Sequence, residues 1–279
     1  MKLSMTATTM NIREKAPIVF RGPLEQSFKE IAEIGYDGVE VHIHDSDLID
    51  RAELKKMLET WHLDLTSIGT GSAYGREHLF LASEDSQIRQ KAIRRLRGHM
   101  ITAKDYDHAV VIIGLIKGKA ADCSNAEGYR KNLISSLKEC IKWAEEYKVM
   151  LGMEIVNRYE SDTINTIEEG LKLLEEVPSE YLKLHIDTYH MNIEEGDIFK
   201  AIESAKGKLC HVHIADNDRW YAGHGHYNFK ETIDALNHIG YDKSIAIESF
   251  YYPDAKTSGR RSYECIKKLL GGKGYADRH

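Results

Sequence analysis

The chain has 279 residues, 42% hydrophobic and 29% charged, with a formal net charge of −6, enough apolar material for a large core. The acidic balance and the lack of a basic block argue against a nucleic-acid partner, and the longest apolar run, around Ala109 to Ile116, is too short to span a bilayer. Cys123, Cys140, Cys210 and Cys265 form no C-x-x-C pair and the chain opens without a signal pattern, so reduced thiols and a cytoplasmic location are expected, with no membrane association.

Lys2 to Ala7 alternates weakly, as a first strand does. Leu24, Phe28, Ile31 and Ala32 stand at helical spacing around a helix from Glu25 to Glu33, which Gly35 ends. Gly35-Tyr36-Asp37-Gly38 leads into a second strand, Val39 to Ile43. A helix from Arg51 to Trp61 and a third strand from Leu63 to Ile68 follow. Gly69 to Ala82, with Gly69, Gly71 and Gly75, reads as a long loop. A charged helix from Ser86 to Lys104 precedes a β-branched fourth strand, Ala109 to Ile113, closed by Gly114. Four more pairs complete the pattern. They are helix Tyr129 to Tyr147 with strand Val149 to Ile155, helix Thr166 to Glu176 with strand Leu182 to Ile186, helix Ile198 to Ser204 with strand Leu209 to Ile214, and helix Phe229 to Ile239 with strand Ile245 to Ile247. A helix from Ser262 to Leu270 closes the chain.

Eight strands, each followed by a helix, give about 35 residues per unit over 279 residues, the pitch of a (β/α)8 TIM barrel. Residues 1–279 read as one such domain. A doubly wound open sheet is the alternative, but no glycine-rich nucleotide turn follows the first strand.

The last four strands each deliver one chemical group where the apolar run stops: Glu154, Asp187, His213 and Glu248. The intervals are 33, 26 and 35 residues, each about one strand-helix unit. In a barrel this places all four at the C-terminal ends of strands five to eight, the face on which such folds carry their active sites. Three carboxylates and one imidazole suit Mn²⁺ or Mg²⁺, with Zn²⁺ or Co²⁺ as further candidates.

The runs Glu154 to Glu160 (E-I-V-N-R-Y-E), His185 to Glu195 (H-I-D-T-Y-H-M-N-I-E-E), His211 to Arg219 (H-V-H-I-A-D-N-D-R) and Ile247 to Phe250 (I-E-S-F) resemble the sugar isomerase/epimerase superfamily of xylose-isomerase-like barrels, and within it the D-tagatose/D-psicose 3-epimerases. The likeness covers nearly all of residues 150 to 250; before that only Gly35 to Glu40 shares it. It implies that Glu154, Asp187, His213 and Glu248 hold one divalent ion, with Mn²⁺ favoured, and that Glu154 and Glu248 are the catalytic acid/base pair. It further implies that Glu160, His190 and Arg219 bind the ketose oxygens beside the carbonyl. The implied reaction is proton exchange at C3 of a ketose through an enediolate. The partner would be a small sugar, and the assembly a homo-oligomer, dimer or tetramer.

Other residues carry weaker signals. His211 reads as a hydrogen-bonded interior histidine rather than a ligand. Glu40 reads equally as a substrate-facing group or as a structural pairing, and His42 and His44 as braces or loop residues. Asn157 and Arg158 are candidates for bracing the metal carboxylates. His224 and His226 depart from the family pattern, with contact to substrate, contact to a second ion, and neither as the open readings. Lys117 and Lys119 read first as solvated loop lysines and second as a phosphate clamp, which would make the substrate a sugar phosphate.

The same metal and enediolate logic serves aldose-ketose and keto-inositol isomerases. A different class, the apurinic-site endonucleases, needs a three-zinc cluster with histidines after strands three and four. Here those ends carry Ser67-Ile68-Gly69 and Ile113-Gly114. A non-catalytic sugar-binding barrel is the third reading, disfavoured by the complete set of ligands and donors.

Overall fold

A computed structural model describes residues 1–12, 16–70 and 72–271. Its strands are β1 (Lys2–Thr8), β2 (Phe20–Arg21), β3 (Gly38–His42), β4 (Asp64–Gly69), β5 (Val110–Ile113), β6 (Met150–Glu154), β7 (Leu182–Asp187), β8 (Leu209–Ile214) and β9 (Ser244–Ile247). All pairings are parallel, in the order β2-β1-β3-β4-β5-β6-β7-β8-β9, and β1 pairs again with β9. That pairing closes eight staves into a (β/α)8 TIM barrel. Lys2 to Met5 lie against β9, while Ala7 and Thr8, beyond the end of β9, take β2 as partner. The two residues of β2 were too short to register as a strand in the sequence.

The helices are α1 (Leu24–Ile34), α2 (Arg51–Trp61), α3 (Ser72–Glu77), α4 (Ser86–Ala103), α5 (Ala126–Tyr147), α6 (Ile167–Glu176), α7 (Thr188–Glu194), α8 (Ile198–Ser204), α9 (Phe229–His238) and α10 (Ala255–Leu269). Most begin where a short acceptor side chain satisfies a free N–H of the first turn. Asp50, Asp85, Asn125, Thr166, Asp197, Asn228 and Asp254 all do this. Among the described residues no helix is long and apolar enough to cross a membrane.

Three helical features depart from the sequence reading. The expected loop from Gly69 to Ala82 contains α3, and α7 follows β7 directly because Asp187 Oδ1 accepts from Tyr189 N at 2.8 Å. Gly71 of that loop lies outside the described residues. α10 begins seven residues before the expected Ser262. Its inner face there is built from Ser258, Gly259 and Ser262, so burial follows small size rather than apolarity.

Two bulges interrupt the staves. Val39 pairs with Leu65 but Glu40 with Ser67, and Leu184 pairs with Leu209 but His185 with His211. Thr66 and Cys210 are the extra residues. Each inverts the in-out alternation of its strand, so that Leu65 and Leu209 pack outward against the helices while Ser67, His211 and His213 turn into the barrel.

Gly38 lies where β3 passes β4: a Cβ there would sit 2.6 Å from the Asp64 carbonyl oxygen and 2.8 Å from Thr66 Cγ2. Neither backbone can swing aside without opening the sheet. Gly38→Ala is therefore expected to cost about 1–3 kcal/mol, lowering Tm by roughly 2–10 °C. Thermal unfolding followed by circular dichroism checks this, with Gly75→Ala, which meets nothing within 4 Å, as the control expected to hold its Tm.

Candidate metal centre and substrate cavity

The barrel brings the four sequence-predicted ligands to one point. Glu154 is the last residue of β6, Asp187 the last of β7, His213 the penultimate residue of β8, and Glu248 follows the last residue of β9. Each offers one ligand atom, and these atoms all lie within 4.8 Å of one another. Parallel strands dictate this: all their C-terminal ends open on the same rim, and Asp187 and His213 are register partners.

The donor set fits a divalent cation. Asp187 Oδ2 and His213 Nδ1 are buried with no hydrogen-bond partner, an arrangement that is costly unless a ligand completes it. His213 Nε2 donates to Glu40 Oε2 at 2.8 Å, which in the neutral ring fixes the tautomer and leaves the Nδ1 lone pair available to an ion, 3.5 Å from Glu248 Oε2. Electrostatics point the same way. Burial, and then the neighbouring Glu248, push the Glu154 carboxyl up to about 8. Burial raises Asp187 to about 6, with Glu248 adding to the rise against the opposing pull of Arg219. Burial alone would lower His213, but Glu40 and Glu248 on either side hold it well above the usual histidine range. Acids retain protons and an imidazole gains one because the cluster is short of positive charge. Glu248 responds oppositely: burial is outweighed by His213, Arg219 and His42, and its carboxyl is held below the usual value.

A cavity of about 500 Å³ opens over this point. Its charged end is formed by His42, Glu154, Glu160, His190, His213, Arg219 and Glu248, and its far end by Ile12, Pro17, Ile18, Thr70, Ser72 and Arg76 among others. All three predicted substrate-binding residues line it. Arg219 donates to Glu160 Oε1 at 2.6 Å and to Glu248 Oε2 at 3.3 Å, with its guanidinium 4.7 Å above the Tyr189 ring. Its backbone sits at φ +64°, uncommon for a residue with a side chain, and its N–H and C=O are tied to Asp216 and Phe250. His190 is buried and held well below the usual range, by burial first and then by Arg219 and Lys117, so its ring is neutral. Asn157 Oδ1 accepts from Tyr159 N, so its Nδ2 donates to His190 Nδ1 at 2.6 Å. The His190 proton therefore sits on Nε2, which is 3.8 Å from Glu154 and 3.9 Å from Asp187.

Other expectations are corrected. Lys117 is not a solvated loop lysine: it is fully buried, donates to the Glu154 carbonyl oxygen at 3.4 Å, and is pushed down to about 8 by burial. Neither Lys117 nor Lys119 is among the residues lining the cavity, which removes the support for a phosphate clamp. Arg158 pairs with Glu194 at the surface, whereas Asn157 braces His190 rather than a carboxylate ligand. His224 stacks on Trp220 and bonds Asp218, and the His226 N–H donates to Asn217. Neither histidine lines the cavity. His44 ties the loop after β3 to Ser72 and Glu77 of α3.

The residue the sequence left undecided is Glu40. It is wholly buried inside the barrel and accepts hydrogen bonds from His42, Ser67, His211 and His213. A carboxylate flanked by Val39 and Val41 in an apolar strand was the available signal; apart from His42, its partners come from strands 27, 171 and 173 residues away, which no local pattern reveals. His211 is the interior, hydrogen-bonded histidine expected. His185, also interior, packs its ring 4.1 Å from that of His213.

Comparison with known proteins places this geometry among relatives. The family described as xylose isomerase-like TIM barrel matches residues 28–269. An L-ribulose 3-epimerase of Methylomonas sp. is 33% identical over 222 residues, covering 78% of this chain and 76% of that protein. An L-ribulose 3-epimerase of Mesorhizobium japonicum is 30% identical over 229 residues, 81% of this chain and 75% of that protein. Among solved structures, a D-allulose 3-epimerase from Methylomonas sp. in complex with D-allulose superposes with a TM-score of 0.82 at 26% identity, covering 96% of this chain and 97% of that one.

The raised carboxyls make a pH prediction. Protons that Glu154 and Asp187 bind only in the folded state stabilise it at low pH, and this contribution is lost as pH rises through about 6 and about 8. The opposite shift of Lys117 acts above about 8. A bound cation takes the place of the protons. Added Mn²⁺ is thus expected to raise Tm more at pH 8 than at pH 6 in scanning fluorimetry of chelator-stripped protein; equal shifts at the two values would contradict this account.

Proposed function

The chain belongs to the xylose isomerase-like TIM-barrel family, and on that premise we propose that it is a divalent-metal-dependent ketose 3-epimerase acting on free sugars. The observation that carries the reading is the convergence of Glu154, Asp187, His213 and Glu248 within 4.8 Å, three of which (Glu154, His213 and Glu248) line a cavity of about 500 Å³. L-Ribulose and D-allulose, named for the relatives, head the candidate substrates.

An ion held by those four residues, Mn²⁺ in this reading with Mg²⁺, Co²⁺ or Zn²⁺ as the other candidates, would supply Lewis-acid polarisation of the substrate oxygens. The remaining chemistry belongs to side chains. A C–H beside a carbonyl is a weak acid, so its removal needs a base and fixed donors for the oxyanion that develops. Glu248, paired with the Arg219 guanidinium, takes the C3 proton. Glu154, entering the cycle protonated, returns its proton to the other face, and the roles exchange in the reverse direction. The Nε2–H of neutral His190 and the Arg219 guanidinium donate to the oxygens of the enediolate. Glu160 holds Arg219 in place and accepts from a neighbouring hydroxyl.

Aldose-ketose isomerisation uses the same groups on a different carbon, and the relatives favour C3. The reading also includes a cytoplasmic location, in keeping with four free cysteines, and a homo-oligomer, which light scattering measures directly.

Incubation of the Mn²⁺-loaded protein with a panel of ketoses in deuterated water is expected to place deuterium at C3 of at least one, with the 3-epimer as product. No exchange at C3 in any ketose would sink the assignment. Glu154→Gln and Glu248→Gln are each expected to lower kcat by about 10²–10⁴-fold.

A further inference from the structure

We infer that Glu40 is a positioning residue for the metal centre, orienting the imidazole ligand His213 from beneath. The inference rests on the metal-dependent reading above but concerns a residue outside the four-ligand set that does not line the substrate cavity, although with His42 and Glu248 it also forms a cluster close enough to hold an ion.

The geometry is specific. Glu40 Oε2 accepts from His213 Nε2 at 2.8 Å, which presents Nδ1 to the centre. Glu40 Oε1 accepts from His42 Nε2 at 2.7 Å, and the same His42 nitrogen lies 3.8 Å from Glu248 Oε1. One carboxylate thus grips the imidazole ligand directly and adjoins a glutamate ligand through one ring. The carboxylate is itself immobilised by Ser67 Oγ at 2.5 Å and His211 Nε2 at 2.9 Å.

The backbone is bent to make this possible. With unbroken alternation from Leu65 and Leu209, Ser67, His211 and His213 would all face the helices. The extra residues Thr66 and Cys210 turn them inward onto Glu40. Two separate irregularities in the barrel therefore converge on the same carboxylate, and a group serving only as interior filling would need neither. Second partners that orient a ligating histidine typically govern metal affinity by about 10–100-fold.

The test is Glu40→Gln in the full-length protein, which keeps the shape and removes the charge and one acceptor oxygen. Mn²⁺ affinity by chelator competition is expected to fall by about 10–100-fold. The visible absorption of the Co²⁺-substituted protein should change in position or intensity, reporting altered ligand geometry. Excess Mn²⁺ should restore part of the turnover lost. His99→Gln, a buried substitution on α4 whose ring bonds Ser46, controls for general loosening and is expected to leave Co²⁺ absorption as in the wild type.

Wild-type protein that binds one ion, with Glu40→Gln binding it equally tightly and with the same Co²⁺ spectrum, would overturn the inference. If Glu40→Gln does not fold, Ser67→Ala decides, since it loosens Glu40 without removing it: a several-fold loss of Mn²⁺ affinity supports the positioning role, and an unchanged affinity overturns it. Wild-type protein that binds no ion would instead defeat the metal-dependent reading, a separate result.

Discussion

Confining three carboxylates in the mouth of a barrel is the constraint to which the rest of this structure answers. Like charges brought this close cannot all ionise without compensation, and burial removes the water that would screen them. Every charged group nearby is disposed accordingly. Arg219 is held between Glu160 and Glu248, His213 lies between Glu40 and Glu248, and Lys117 is buried against the Glu154 strand end. A protein that needed only stability would replace such a cluster with apolar packing. Keeping it is reasonable only if the cluster holds something positive and does something with it.

The barrel supplies the geometry but not, by itself, the direction of the side chains. Closure by β1 and β9 sets the strand ends in a ring, and one ligand per strand-helix unit follows from the repeat. Which face each residue presents is decided locally. At β8 the bulge at Cys210 determines that His211 and His213 look inward while Val212 and Ile214 pack outward. At β5 the ring is relieved by a missing side chain: a Cβ on Gly114 would collide with Glu154 Oε2. The geometry of the rim therefore depends on residues that carry no chemistry of their own.

That division explains how much was legible in advance. The fold and the convergence of Glu154, Asp187, His213 and Glu248 could be read because each is a local event repeated at one spacing: an apolar run, a stop and a residue type able to hold a metal. α2, α8 and β8 fall on the expected residues, since their apolar periodicity is clean and, for the two helices, Asp50 and Asp197 mark the starts. The misses share a cause. α10 starts early because small polar residues, not apolar ones, form its buried face, and Lys117 looked solvated because burial of a lysine is decided by distant chain segments. Glu40 was ambiguous for the same reason: its meaning comes from Ser67, His211 and His213, and local pattern does not encode bulged register.

Lys117 shows how a residue that looked like a substrate clamp serves the centre differently. Placed in the ion's ligand set, a lysine would repel the cation. Here its ammonium lies against the Glu154 main-chain carbonyl, behind the carboxylate rather than beside its ligand oxygen. With a divalent ion in place, three carboxylates and a neutral imidazole leave one surplus negative charge, while Glu160 and Arg219 offset each other as a pair. A buried cation at Lys117 offsets that surplus without competing for a coordination position. Glu154 and Lys117 also shift in the directions that mutual dependence requires: burial drives each toward its neutral form, and the charge of each favours ionisation of the other.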